Sequence, residues 1–397
     1  MRHSDENTLS GALNPKTPHL IRVTTWITRQ QDTLDGWAVI KPFLFLRLVF
    51  ADGTEGWGEA FTLPCREAGC EQIIHALGAK MAAANATAPN DFRMLVAQIA
   101  DKHRGLDFAA ASSALEMALW DVQGKLAKMP LRHLLSDAPT NTVPVYVNIW
   151  SSAEPDIEAL CDRAKLMVKQ GYRAIKFYPL QNRTPVQAAA CMAHMRNAVG
   201  QDVALLLDLA SPDDPALARE LAPLVKPHNP YWFEEPVDGE DTRILANIRK
   251  TCGIRVVTGE KQCGLPHFRE TLAANAADIL NPDIAGVGGI LDMLEIAALA
   301  DLQGVSMSPH CWNSMSIAAA AMLQVCAALP NAEMAEIYPD YLPHAAGFSD
   351  AGYRLVDGSA VLSNRPGLGV EMDAGALDKI AAKPPIVSEI ADMPSNS

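Results

Sequence analysis

The sequence predicts an α/β protein built on a TIM-like (β/α) barrel, with an α+β segment in front of it. From residue 143 onward, short β-rich segments each give way to a helical stretch, the alternation that makes a parallel sheet with right-handed crossovers. Eight such units follow one another, about 25 to 30 residues apart, which is what a closed barrel requires. A polar residue ends nearly every one of these segments, and the C-terminal ends of barrel strands converge on one face.

The elements justify themselves in chain order. Residues 1–19 are polar, contain two prolines and lack the apolar core of a signal peptide, so they read as a disordered leader. Apolar runs at 43–50 and 56–61 flank Asp52-Gly53, a dipeptide suited to a tight hairpin. Across 108–128 the residues Ala114, Leu115, Ala118, Leu119 and Val122 fall on one helical face, and Pro130 stops that helix. The eight expected strands cover 145–149, 173–178, 203–208, 231–235, 255–260, 278–283, 305–310 and 333–337. Beyond Tyr338 the chain returns to Gly, Pro and short apolar runs, which are expected to pack back on the first segment.

Composition excludes several function classes. A formal charge of -13 over 397 residues repels nucleic acid and anionic lipid alike. The apolar stretches at 290–302 and 317–329 fall short of the roughly 20 residues that cross a bilayer. The 8 cysteines include no C-x-x-C pair and read as reduced thiols, in keeping with a cytoplasmic protein. No H-x-H occurs, which disfavours zinc-hydrolase barrels. Gly286-Val287-Gly288-Gly289 lacks the third glycine of a dinucleotide loop and reads as a helix opening.

The chemistry is expected where the strands end. Asp208, Glu234 and Glu260 follow one another in equal steps of 26 residues, one strand-helix unit each, so they occupy neighbouring strand tips. Three oxygen ligands without His or Cys suit Mg2+. Asp283 and His310 end the next two strands, and a carboxylate beside an imidazole fixes its tautomer and raises its basicity. Lys176 and Tyr178 share one face of the second strand, because strand side chains alternate. Lys176 is a candidate for the substrate carboxylate, and Tyr178 for proton transfer on the face opposite His310. Glu336, with Glu333 as its rival, is expected to stay protonated and donate to an anionic substrate. Lys261 is expected to be turned away from the basin. Arg29, Gln30, Gln31 and Trp37, in a covering loop, and Trp312 are further candidate substrate contacts.

Four stretches resemble the enolase superfamily: Ser113-Ala-Leu-Glu-Met-Ala-Leu-Trp-Asp-Val-Gln-Gly-Lys125, Trp232-Phe-Glu-Glu-Pro236, Asn281-Pro-Asp-Ile-Ala-Gly-Val-Gly-Gly289 and Ser308-Pro-His310. The resemblance implies a (β/α)7β barrel over 141–340, an N-terminal capping domain over 20–140 and a C-terminal segment, 341–397, that completes the cap. Asp283 stands where muconate-cycloisomerase-like members carry lysine, so the chain resembles the mandelate racemase branch. By that likeness Asp208, Glu234 and Glu260 hold Mg2+, His310 with Asp283 is the acid/base dyad, and Glu336 meets the substrate carboxylate.

Two departures bear on the reaction. Tyr178 replaces the second lysine of a K-x-K motif, and Asp208-Leu-Ala210 replaces Asp-x-Asn. A tyrosine at that position is similar to some acid-sugar dehydratases, galactarate-dehydratase-like ones among them. The resemblance therefore implies a small-molecule carboxylate substrate, dehydration to a 2-keto-3-deoxy acid with either His310 or Tyr178 as base, and a homo-oligomer. A racemase or epimerase of a 2-hydroxy acid, and a non-catalytic metal-binding barrel, are the alternatives.

Overall fold

Three antiparallel strands lead the chain, β1 (Leu20–Ile27), β2 (Leu44–Phe50) and β3 (Glu55–Ala60). The β2–β3 turn falls at Asp52-Gly53, where Gly53 takes φ +83° and Asp52 accepts the Thr54 N–H at 2.9 Å. Helices α1 (Glu67–Ala83), α2 (Pro89–Ala100) and α3 (Gly105–Ala127) follow. On β3, Gly56 and Gly58 let α3 approach closely: a Cβ on either would lie 2.1 Å from the Ala118 carbonyl or 2.0 Å from that of Ala114. Lys128, in the left-handed region at φ 56°, and Pro130 end α3, and the short α4 (Leu131–Leu135) leads to the barrel.

In this computed structural model, residues 17–29, 42–100, 103–150, 156–311, 314 and 316–390 are described. Most of the expected leader, together with Gln30, Gln31, Trp37 and Trp312, lies outside the described residues.

The barrel runs β4 (Thr142–Asn148), α5 (Ile157–Lys169), β5 (Ala174–Phe177), α6 (Pro185–Val199), β6 (Ala204–Asp208), α7 (Ala216–Val225) and β7 (Trp232–Glu234). It continues α8 (Thr242–Cys252), β8 (Val256–Thr258), α9 (Leu265–Ala273), β9 (Ile279–Leu280), α10 (Ile290–Asp301), β10 (Ser306–Met307), α11 (Ile317–Cys326) and β11 (Ala335–Ile337). Neighbours from β4 to β10 pair in parallel, β11 pairs with β4, and the Glu333 N–H donates to Met307 O at 2.8 Å to close the ring. Among the described residues, seven helices separate these eight strands, a (β/α)7β barrel.

All eight expected strands form, but β9 and β10 are only two residues long. Pro282 and Pro309 lack the N–H that would extend their ladders, so the segments carrying Asp283 and His310 leave the sheet as tips joined by one parallel bridge.

The barrel interior is layered. Tyr146, Ala174, Leu206, Trp232, Val257 and Ile279 form an apolar floor. Two residues further along, the same inward face carries Asn148, Lys176, Asp208, Glu234 and Asn281, because strand side chains repeat every second residue. The basin's polarity thus begins one layer above its core.

After β11 a hairpin of Tyr353–Val356 and Ser359–Leu362 pairs antiparallel with β4, and Ile386–Glu389 adds a strand beside β1. Between them the Leu368 N–H donates to Asp121 on α3 at 2.9 Å, so the C-terminal segment ties both units together. The Gly286–Gly289 run opens α10 at Ile290. Gly289 lies against the buried Glu116, whose carboxylate accepts the Leu291 N–H at 2.8 Å at the head of that helix. Among the described residues no helix is long and apolar enough to cross a membrane.

Candidate active site

Asp208, Glu234 and Glu260 stand at the tips of β6, β7 and β8, with one carboxylate oxygen from each lying within 4.8 Å of the others. Asp208 and Glu234 are buried and Glu260 is partly exposed. Glu234 Oε1 accepts from Lys176 Nζ at 2.7 Å and from Asn281 Nδ2 at 3.0 Å. Its Oε2 is buried and, among the described residues, has no hydrogen-bond partner. An unpartnered buried carboxylate oxygen in a cluster of three acids is costly unless a cation meets it. Three hard oxygens with no sulfur or imidazole ligand fit a hard divalent cation.

The electrostatics point the same way. Burial, with Asp208, Glu336 and Glu260 nearby, pushes Glu234 well above the usual carboxylate range, although Lys176 opposes it. Burial pushes Glu260 up to about 7, with Asp208 and Glu235 adding to the rise and His310 and Lys176 opposing it.

His310 Nδ1 donates to Asp283 Oδ2 at 2.9 Å, and Asp283 Oδ1 accepts the Ala285 N–H at 2.8 Å. This leaves Nε2 facing the acids, 3.5 Å from Glu260 and 3.6 Å from Glu336. Burial lowers the imidazole, but Glu336, Glu260 and Asp283 outweigh it and push His310 up to about 10.

Lys176 is fully buried on the basin floor between Glu234 at 2.7 Å, Glu336 at 2.8 Å and Asp208 at 3.5 Å. Glu336 corrects an expectation. Burial raises it, yet Lys176 and His310 hold it below the ordinary carboxylate range, so it is an ionised acceptor and not a protonated donor. Oε1 accepts from Asn148 at 2.9 Å, and Oε2 accepts the Cys311 N–H at 3.0 Å. Its rival Glu333 precedes β11, at the opposite end of the barrel, bound to Arg255 and to the Tyr231 hydroxyl.

Tyr178 reaches the basin from β5, edge-on to Trp150 at 6.3 Å between ring centres. Arg29 is exposed, and its guanidinium donates to the Lys379 carbonyl, beside the C-terminal segment. Lys261 is exposed past the end of β8 and donates to Ser211 Oγ at 2.6 Å.

The sequence reading missed Asn148, Asn281, Tyr338 and Glu235. The first three carry a findable signal, since each lies two residues from an inward-facing neighbour on its strand. Glu235 carries none. Its carboxylate accepts from Thr258 at 2.9 Å, the Gly259 N–H at 3.0 Å and Ser211 at 3.1 Å, cross-linking the rims that bear the three acids.

Fold and site together define an enolase-like barrel protein. Residues 159–376 match the enolase C-terminal domain-like family, and residues 36–136 match the N-terminal domain of mandelate racemase and muconate lactonizing enzyme. The chain belongs to the mandelate racemase/muconate lactonizing enzyme family of the enolase superfamily, whose enzymes generally use a divalent metal.

Among solved structures, an enolase from Sargasso Sea environmental sequencing is 38% identical, covers 94% of this chain and 99% of that one, and superposes with a TM-score of 0.90. The D-gluconate dehydratase of Thermoproteus tenax is 28% identical across 95% of this chain and 77% of its own length. The D-galactonate dehydratase of Xanthomonas oryzae pv. oryzae is 26% identical across 86% of this chain and 92% of its own length.

Proposed function

We propose that this protein is a hydro-lyase that dehydrates an acid sugar of the aldonate or aldarate class to a 2-keto-3-deoxy acid. The observation that carries the reading is the His310 imidazole, held through Nδ1 by Asp283 at 2.9 Å with Nε2 turned toward the acidic cluster. The relatives that act on D-gluconate and D-galactonate support the substrate class.

Asp208, Glu234 and Glu260 would hold Mg2+, the hard cation their oxygens suit. That ion, when bound, stabilises the negative charge that develops on the substrate carboxylate as its α-proton leaves.

The surrounding acids hold the His310 ring protonated while their charges are unbalanced; with those charges met by the cation, Nε2 would be free to take the α-proton, Asp283 holding the tautomer through Nδ1. Lys176, kept cationic by Glu234 and Glu336, adds positive potential from the floor. The β-carbon–oxygen bond then breaks, and the departing hydroxide takes a proton from an acid. Burial and Asp208 push the Tyr178 phenol well above its ordinary range, which keeps it neutral and able to donate. Water leaves, and the enol tautomerises to the 2-keto acid.

The test is a panel of aldonic and aldaric acids with Mg2+, followed by 2-keto acid formation. If none reacts, dehydration fails as the reading. Exchange of the α-proton for solvent deuterium without loss of water would instead favour racemisation or epimerisation.

A further inference from the structure

Above the floor of the basin, three adjacent strands place a second polar tier. The register Val147↔Ile175 and Asn148↔Lys176 joins β4 to β5, and Ile337↔Val147 joins β11 to β4. Asn148 therefore lies between Lys176 and the residue after Ile337, which is Tyr338. Alternation brings Tyr178 inward two residues beyond Lys176, and Tyr338 inward two residues beyond Glu336. A single amide thus sits between two phenols, one from each neighbouring strand.

The hydrogen bonds give this trio a direction. Asn148 Oδ1 accepts the Trp150 N–H at 2.8 Å, which fixes the amide so that Nδ2 faces the basin. Nδ2 donates to Tyr338 Oη at 2.7 Å and to Glu336 Oε1 at 2.9 Å, with a longer contact to Tyr178 Oη at 3.4 Å. An amide nitrogen only donates, so both phenol oxygens are acceptors here. Their own O–H groups are left over, and among the described residues neither has an acceptor within hydrogen-bond reach.

Tyr338 is also well anchored. It is 8% exposed, and its ring stacks on Tyr341 at 5.4 Å, which meets Phe43 of the N-terminal unit edge-on at 6.4 Å. Ring packing and the accepted hydrogen bond thus fix the Tyr338 ring and its oxygen, and only the hydroxyl proton can turn, about the Cζ–Oη bond. The buried Tyr338 hydroxyl, with that of the partly exposed Tyr178 beside it, stands next to a lysine and an ionised glutamate as a donor pair that an incoming oxygen would complete.

We propose that Tyr338 and Tyr178 form a paired phenol donor site, ordered by Asn148, that binds oxygen atoms of a polyhydroxylated substrate carried beyond its carboxylate. In this arrangement Tyr338 is a specificity-determining residue and Asn148 a positioning residue. The inference rests on the acid-sugar reading for the kind of ligand, and it adds the residues that read the ligand's hydroxyls. A site with donors awaiting oxygens discriminates well against ligands that lack them, because the buried Tyr338 donor is then left unpaired.

Equilibrium binding tests this without turnover. His310→Asn removes the base, so ligands stay intact. In that background, with Mg2+ present, D-gluconate, D-galactonate and glycolate are titrated with and without Tyr338→Phe. Glycolate carries a carboxylate and one hydroxyl and is the control for everything except the sugar chain. The expected result is tighter binding of at least one hexonate than of glycolate, with Tyr338→Phe weakening that hexonate roughly five- to tenfold and leaving glycolate within twofold. Asn148→Ala is expected to lower the hexonate preference further, while Asn148→Gln leaves Mg2+ affinity unchanged and restores part of the preference.

Equal loss for glycolate and hexonate, no loss for either, or no hexonate preference at the outset overturns the phenol assignment. Hydroxyl-dependent binding with no 2-keto acid formed by the wild-type protein would remove the dehydration and leave the phenol site standing. Thermal unfolding of Tyr338→Phe separates a folding defect from a binding one.

Discussion

His310 and Asp283 hydrogen-bond at 2.9 Å and are joined by an isolated parallel bridge, although the strands that deliver them are only two residues long. The pair is held by its own contact and by the Ala285 N–H on Asp283 more than by sheet ladder. It should therefore be separable, by mutation, from the carboxylates that bind the cation.

His310→Asn should lower turnover by about 10² to 10⁴-fold while leaving Mg2+ affinity within a few-fold, since the imidazole is not in the cation's donor set. Steady-state kinetics and calorimetric Mg2+ titration check the two halves independently. A large loss of metal affinity would contradict the role given to His310.

Among the described residues Glu234 Oε2 is buried without a hydrogen-bond partner, and this makes Glu234→Gln informative. In the wild type, Mg2+ at a hundred times its Kd should add about 2.7 kcal/mol to unfolding free energy. The variant should lose most of that increment. Melting curves with and without Mg2+ measure it, and an unchanged metal-dependent shift in the variant would argue against this ligand set.

Metal binding should depend on pH with a definite sign. The metal-free fold pushes Glu260 up to about 7, so near neutral pH its carboxyl holds a proton part of the time, and a cation must displace it. Affinity should rise as pH climbs through 7, and binding should release protons. Calorimetry in two buffers of different ionisation enthalpy reads that release. The same shift has a stability counterpart. A carboxyl raised from 4.5 to about 7 favours the fold when protonated, so the metal-free protein should lose stability as pH rises across that window, and Mg2+ should restore it.

Lys176 is a fully buried cation between two carboxylates at 2.7 and 2.8 Å. Lys176→Met removes their shared counter-charge and should destabilise the metal-free protein by about 3 to 5 kcal/mol. Denaturant unfolding checks this. A part of the loss should return with Mg2+, because a cation restores compensation to Glu234 but not to Glu336.

Much of this site was legible because strand tips announce themselves. Equal 26-residue steps between Asp208, Glu234 and Glu260 need only one strand-helix unit per step to bring the three together. Asp283 and His310 were legible for the same reason, even though Pro282 and Pro309 cut their strands short. Glu336 was located correctly but given the wrong protonation, because its charge depends on how near Lys176 and His310 come, and no spacing rule carries a distance.

By itself the sequence determined the repeating alternation of strand and helix, the side of each strand that turns inward, and the ends at which polar groups appear. These follow from local periodicities of two and 3.6 residues, which need no knowledge of neighbours. Only the tertiary structure decided which polar ends pair, that Glu333 belongs to the far end of the barrel, and that Asn148 meets Tyr338, 190 residues further along the chain, beside Tyr178. Those outcomes depend on ring closure, which places β11 beside β4, and on hydrogen-bond distances of a few ångströms that no one-dimensional pattern encodes.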